Sequence, residues 1–187
     1  MPDRARQASV TPIDLGETMN DLTRPELLFS ERSIRDRVEA IGAEITRDYK
    51  GRELAVVGIL PNAIVFMADL IRHIQVPLIC DFLKLVSSAE GKRIDIAFGM
   101  ETHLSSRDLL LLQGVVDTGI TMSFIAEHIQ EEWKPRSLKV ATLIDRQVHR
   151  KVDCPVDYPC FSLEKEGFVV GYGLAHRERF RGLRYLG

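Results

Sequence analysis

The chain has 187 residues, and its 25 Lys+Arg against 27 Asp+Glu leave a formal net charge of −2. At roughly 100–200 residues per domain this is one domain, large enough to bury a core without disulfide or metal staples. Charges that nearly cancel argue against a broad nucleic-acid-binding surface, which needs a basic face, but allow a pocket charged only locally.

Residues 1–25 read as an extended arm and 26–187 as a single domain. Ser30 is suited to cap a helix in which Ile34, Val38, Ile41 and Ile45 recur at helical spacing, closed by Lys50-Gly51. Leu54–Leu60 (LAVVGIL) is continuously apolar, as expected of a strand buried on both faces. Pro61 can open the next helix, whose apolar stripe is Ala63, Met67, Leu70, Ile71 and Ile74. Pro77–Leu85 reads as a second strand, 86–107 as a long loop holding a short strand at Ile94–Phe98, and Leu109–Val116 as a further apolar strand. A helix with Met122, Ile125, Ile129 and Trp133 on one face follows, then a strand at Leu138–Ile144. Asp153–Leu163 and Phe168–Gly173 read as short strands. This alternation predicts an α/β fold, a doubly wound, mainly parallel sheet flanked by helices.

The three cysteines, Cys80, Cys154 and Cys160, form no CxxC pair and read as reduced thiols of a cytoplasmic protein. No apolar run approaches the roughly 18 residues of a membrane span. Met1–Pro25 lacks the apolar stretch of a signal peptide. Neither a nucleic acid nor a membrane is expected as a partner.

In an open α/β sheet, ligands bind beyond the carboxyl ends of the strands. The run Val115-Val116-Asp117-Thr118-Gly119-Ile120-Thr121-Met122 takes a strand through Asp-Thr-Gly-x-Thr directly into a helix. Gly119 permits a tight turn, the loop amides converge, and the helix dipole points at the same spot. With the hydroxyls of Thr118 and Thr121 this makes a nest suited to one phosphate group. The competing reading is a plain junction in which Asp117 or Thr121 caps the helix. The run is neither a Walker loop nor a GxGxxG turn.

This unit resembles the phosphoribosyl pyrophosphate loop of type I phosphoribosyltransferases. Further segments in matching order are Phe66-Met67-Ala68-Asp69-Leu70, Asp81-Phe82-Leu83-Lys84-Leu85, Val140-Ala141-Thr142-Leu143-Ile144, Phe168–Leu174 (FVVGYGL) and Phe180-Arg181-Gly182-Leu183. Over about residues 27 to 184 the chain thereby resembles the hypoxanthine-guanine phosphoribosyltransferases. The resemblance implies a doubly wound sheet with a small C-terminal hood, and transfer of the phosphoribosyl group to hypoxanthine or guanine with release of pyrophosphate. It implies Asp117 as the general acid/base at purine N7, and Asp117, Thr118, Gly119, Ile120 and Thr121 around the 5′-phosphate. Phe168 would stack on the base, backbone groups of Val169 would read its edge, and Arg146 stands where the family has a lysine that donates to purine O6. Arg181 would meet pyrophosphate oxygens. Mg²⁺ on the leaving group, a homodimer or homotetramer, and a cytoplasmic location are further implications.

Four departures strike the ribose–pyrophosphate side. Two acidic residues that hold the ribose hydroxyls in the family are Gln113 and Gly114 here. A Lys-Gly-Gly loop with a cis peptide is Leu60-Pro61-Asn62-Ala63, where proline makes a cis bond cheaper but removes an amide donor. A Ser-Tyr pair in the lid is Ser87-Ser88, and an aspartate for a second Mg²⁺ is Ala175. The nucleotide-monophosphate half of the site is thus expected to be better kept than the pyrophosphate half. The alternative reading is a catalytically weak or inactive paralogue that binds purine nucleotides as a sensor or interaction protein.

Overall fold

The computed structural model describes residues 25–87, 94–98, 104–164 and 167–187; apart from Pro25, the predicted arm lies outside the described residues. The first helix, α1 (Glu31–Asp48), starts where the cap predicts: the Ser33 amide donates to Ser30 Oγ at 3.2 Å. Ile34, Val38, Ile41 and Ile45 are buried along one face. Gly51, at φ +76°, turns the chain back toward the sheet.

Six strands follow: β1 (Leu54–Leu60), β2 (Leu78–Ser87), β3 (Ile94–Phe98), β4 (Asp108–Val116), β5 (Ser137–Asp145) and β6 (Tyr158–Ser162). They lie in the order β3-β2-β1-β4-β5-β6. Every neighbouring pair is parallel except β2 with β3. Between strands run α2 (Ile64–Leu70) and α3 (Ile120–Trp133).

The apolar strands are apolar because both faces are covered. Leu54, Val56, Leu110 and Leu112 join one core with α1 and α2. Their neighbours Ala55, Val57, Leu109 and Leu111 join the other, with Met122, Ile125 and Ile129 of α3. Leu109 to Leu112 are all fully buried, and each such side chain contributes about 1.5–3 kcal/mol.

Several predicted elements come out differently. Pro61 does not open α2; it sits in an exposed turn after a cis Leu60–Pro61 bond, and the helix starts only at Ile64. The turn is closed by the Ala63 amide donating to the Ile59 carbonyl at 3.2 Å, so the chain reverses before it winds. Phe66 is buried in the stripe, whereas Ile71 and Ile74 lie beyond the helix end. The predicted long loop is in part a hairpin, with β2 extending to Ser87 and pairing from Leu83↔Phe98 to Ser87↔Ile94. The predicted strand Asp153–Leu163 contracts to β6.

Phe168–Gly173 is not a strand, because Gly171, Tyr172 and Gly173 all take positive φ (96°, 45° and 91°). A Cβ on Gly171 would lie 2.0 Å from the Tyr185 carbonyl oxygen, so the chain can pass there only as glycine. Residues 167–187 instead form the hood. Val170 and Gly187 exchange backbone hydrogen bonds at 2.9 and 3.0 Å, and the Leu28 amide donates to Leu186 O at 2.8 Å. Tyr172 OH donates to Asp69 Oδ2 at 2.6 Å, fastening the hood to α2.

No helix among the described residues is long and apolar enough to cross a membrane. All three cysteines are free thiols, with Cys80 exposed and Cys154 and Cys160 buried. Burial pushes the Cys160 thiol up to about 12. One thiol is therefore expected to react with a colourless disulfide reagent at about pH 8 in the native protein, and all three in guanidinium. Rapid reaction of a second thiol in the native state would contradict the packing of β6 and of the turn at Cys154.

Candidate active site at the switch point of the sheet

The strand order reverses between β1 and β4, which opens a crevice beyond their carboxyl ends. Into it project the turn 60–63 after β1, the loop 117–119 after β4, and the turn 146–151 after β5.

The loop after β4 is built to leave its amides available. Gly119 is the N-cap of α3, at φ +83°, and has no side chain to cap the helix. Neither Asp117 nor Thr121 makes a cap bond; Thr118 Oγ1 accepts from the Ile120 amide at 3.4 Å. A Cβ on Gly119 would lie 2.9 Å from both Arg150 Cδ and Cys154 Cβ, so glycine is demanded by space as well as by φ. Gln113, Asp117, Thr118, Gly119 and Thr121 line a small pocket of about 130 Å³. Converging amides at a helix N-terminus suit an anion. Ile120 is half exposed at the rim.

Asp117 is half-buried, and its Oδ1 lies 2.7 Å from His149 Nδ1. Sequence reasoning missed His149. The available signal was its place in the turn after β5, which opens onto the same crevice. Two backbone bonds clamp that turn to the loop: the Arg146 amide donates to Val116 O at 3.0 Å, and the Lys151 amide to Thr118 O at 2.9 Å. Arg146, which alone reads as a surface arginine, is 7% exposed. Arg150 pairs with the buried Asp145.

Phe168 is 79% exposed, so its ring is not part of the core. Its ring packs on His176, centroids 4.4 Å apart at 42°. Val169 is half-buried beside it, and with Leu163, Gly167 and Gly187 they line a second pocket of about 260 Å³. An exposed ring that borders a pocket is a platform for another flat, apolar face.

The positions that the resemblance assigns to ribose and pyrophosphate are crowded. Gln113 Oε1 is buried without a hydrogen-bond partner, an acceptor waiting for a hydroxyl or amide donor. Gly114 is not an open gap: a Cβ there would lie 2.6 Å from Asn62 O and 2.5 Å from Leu174 Cδ2. Arg181 donates to Asn62 Oδ1 at 2.8 Å and to Gly173 O at 2.7 Å, tying the Pro61-Asn62 turn to the hood. Ser87 closes β2; Ser88 lies outside the described residues. Ala175 supplies no ligand atom.

These donors do not fit a protein-held Mg²⁺. The three positions expected to carry carboxylates offer an amide, a backbone with no room for a side chain, and a methyl group. Among the described residues no three His, Cys, Asp or Glu side chains cluster as metal ligands. Mg²⁺ held by a protein is usually met by one or two carboxylates, its remaining ligands being water and substrate phosphate.

Comparison with known proteins agrees with this geometry. Residues 28–177 match the family described as phosphoribosyl transferase domain. The chain is 36% identical over 166 residues to the hypoxanthine-guanine phosphoribosyltransferase of Bacillus subtilis strain 168, covering 87% of this chain and 91% of that one. The crystal structure of a hypoxanthine-guanine phosphoribosyltransferase from Bacillus anthracis superposes with TM-score 0.82 at 31% identity, covering 88% and 98% of the two chains. A structure of Trypanosoma cruzi hypoxanthine phosphoribosyl transferase, described in terms of its C-terminal region's role in oligomeric state and enzymatic activity, gives TM-score 0.79 at 28% identity, covering 86% and 89%. With these matches running from α1 into the hood, the chain belongs to the phosphoribosyl transferase domain family.

Proposed function

We propose that the protein transfers the 5-phosphoribosyl group from phosphoribosyl pyrophosphate to hypoxanthine or guanine, giving IMP or GMP and pyrophosphate. The observation that carries this is the Asp117–Thr121 loop: a helix start whose N-cap residue offers no side-chain cap, beside a half-buried carboxylate, at the switch point of the sheet. Amides of Thr118 to Thr121 hold the 5′-phosphate. Phe168 stacks on the purine, backbone groups of Val169 read its edge, and Arg146 donates to O6, with a guanidinium's reach in place of an ammonium's.

Held this way, purine N9 faces C1′ of the ribose, and the positioning itself removes much of the entropic barrier. N9 forms the new bond to C1′ as the bond to pyrophosphate breaks, the electron pair leaving on the pyrophosphate oxygen. Positive charge develops on the ribose ring in between. The purine's N7 proton passes to the Asp117 carboxylate, which is the general base. Gln113 Oε1 accepts from a ribose hydroxyl, and Arg181 with Asn62 meets the departing pyrophosphate. Mg²⁺ on the leaving group would supply charge neutralisation; since this chain's residues do not fit a bound ion, no step is assigned to it.

Incubation with phosphoribosyl pyrophosphate, Mg²⁺ and hypoxanthine or guanine tests the reading by formation of IMP or GMP. Absence of product with every purine, alongside measurable nucleotide binding, would leave a nucleotide-binding paralogue instead. Stacking of a base on an aromatic ring is worth about 1–3 kcal/mol. Phe168→Ala is therefore expected to raise KM for the base about tenfold and to leave KM for phosphoribosyl pyrophosphate little changed, as read by steady-state kinetics. The same reading carries a cytoplasmic location and an assembly of two or four copies; light scattering on the purified chain tests the assembly.

A further inference from the structure

The Asp117–His149 contact is made by residues whose placement is fixed from both sides. The two backbone bonds from Arg146 and Lys151 to Val116 and Thr118 bracket it. Ser123 Oγ, from α3, donates to Asp153 O at 3.0 Å a little further along the same turn. Two neighbours in the turn are engaged elsewhere: Arg150 pairs with Asp145, and Gln147 Nε2 donates to Asp145 Oδ2 at 3.0 Å. His149 is the side chain of this turn that meets Asp117, at 2.7 Å. Among the described residues, Asp117 Oδ2 takes no hydrogen bond.

We propose that His149 is a positioning residue for the transfer reaction: its Nδ1–H holds Asp117 Oδ1 and so aims Oδ2 at the purine N7 proton. The inference rests on the reaction proposed above. A carboxylate on a short side chain rotates freely about χ2 unless one oxygen is held. Each degree of misorientation is felt in a proton transfer that needs hydrogen-bond geometry. The arrangement has the logic of a nucleophile–base pair whose base is oriented by a third group, with the carboxylate here as the oriented base. In the step itself one proton moves from N7 to Oδ2, and His149 keeps its own proton on Nδ1. Which imidazole nitrogen carries the proton is set by the partner of that nitrogen, so Asp117 fixes the Nδ1–H tautomer.

Two measurements test this. In steady-state kinetics His149→Ala is expected to lower kcat about tenfold or more, the loss of a hydrogen bond to a charged group, with KM for both substrates within about threefold. His149→Asn, whose amide Nδ2 replaces Nδ1, recovers most of that loss. In an Asp117→Asn background, His149→Ala adds nothing further, because the two act as one unit. Nitrogen-resolved NMR of the ligand-free protein at about pH 8.5 is expected to show the Nδ1–H tautomer for His149 in the wild type and the ordinary Nε2–H tautomer in Asp117→Ala. Unchanged kcat in His149→Ala, equal losses in the Ala and Asn variants, additive losses in the double variant, or an Nε2–H tautomer in the wild type would each overturn the proposal. A wild-type chain without transfer activity removes the reaction and the positioning role with it. The NMR signature, read without substrate, then tells failure of the reaction from failure of the contact.

Discussion

Asp117→Asn is expected to lower kcat by about 10²–10⁴, the usual span for removing a general acid or base, while IMP or GMP still binds within a few-fold of wild type. Asparagine keeps the shape of the side chain and an oxygen that accepts from His149 Nδ1, the 2.7 Å contact of the native carboxylate. It cannot take a proton from N7. The phosphate loop is untouched, since its donors are main-chain amides after Gly119, whose φ of +83° is set by the glycine and by the Arg150 and Cys154 side chains against it. Chemistry and binding should therefore separate: steady-state kinetics shows the loss in kcat, and calorimetry with the nucleotide shows little change in Kd. A variant that keeps kcat within tenfold of wild type would move the proton transfer to another group. A variant that loses nucleotide binding in parallel would make Asp117 a ligand of the nucleotide rather than the base.

What the sequence discloses here follows what is local. The run Leu109–Leu112 declares a strand with both faces covered, and both are. Asp117 to Thr121 is legible because a turn, a glycine at positive φ and a helix start are encoded within a few residues. Elements set by distant partners are not. Phe168 to Gly173 looks like a strand by its apolar run, yet Gly171 is bent by the Tyr185 carbonyl fourteen residues later in the chain. Pro61 is consistent with a helix start, but the Ala63 amide closes a turn onto Ile59 first. His149 is invisible as a partner of Asp117 because only the packing of the turn after β5 onto the loop after β4 brings residues 32 positions apart to 2.7 Å. Gly114 is of the same kind: its surroundings come from the turn after β1 and from the hood, through Asn62 and Leu174.

That glycine supports the second large expectation, which runs against the plain reading of the sequence. Because the family carries an acid at this position, Gly114→Asp looks like a repair. The structure predicts damage. A Cβ at 114 would stand 2.6 Å from Asn62 O, 2.5 Å from Leu174 Cδ2 and 3.1 Å from Asn62 Cβ. Neither neighbour gives way freely. Asn62 is held through its Oδ1 by Arg181, which is bonded at the same time to Gly173 O, and Leu174 is 2% exposed in the core. Overpacking of this kind costs about 1–3 kcal/mol, or a Tm lower by roughly 3–10 °C for a chain of this size. The carboxylate would also face the Asn62 carbonyl oxygen, a repulsive approach. Relief requires the Pro61-Asn62 turn to leave Arg181, which disarms both groups assigned to the pyrophosphate. Gly114→Asp is therefore expected to lower kcat/KM for phosphoribosyl pyrophosphate by about 10² and to lower Tm. Gly114→Ala, which brings the Cβ without the charge, should reproduce most of the Tm loss in a thermal melt. A Gly114→Asp variant that melts like wild type and uses phosphoribosyl pyrophosphate more efficiently would show that the turn after β1 opens readily, and that the missing acid, rather than the space around Gly114, limits this site.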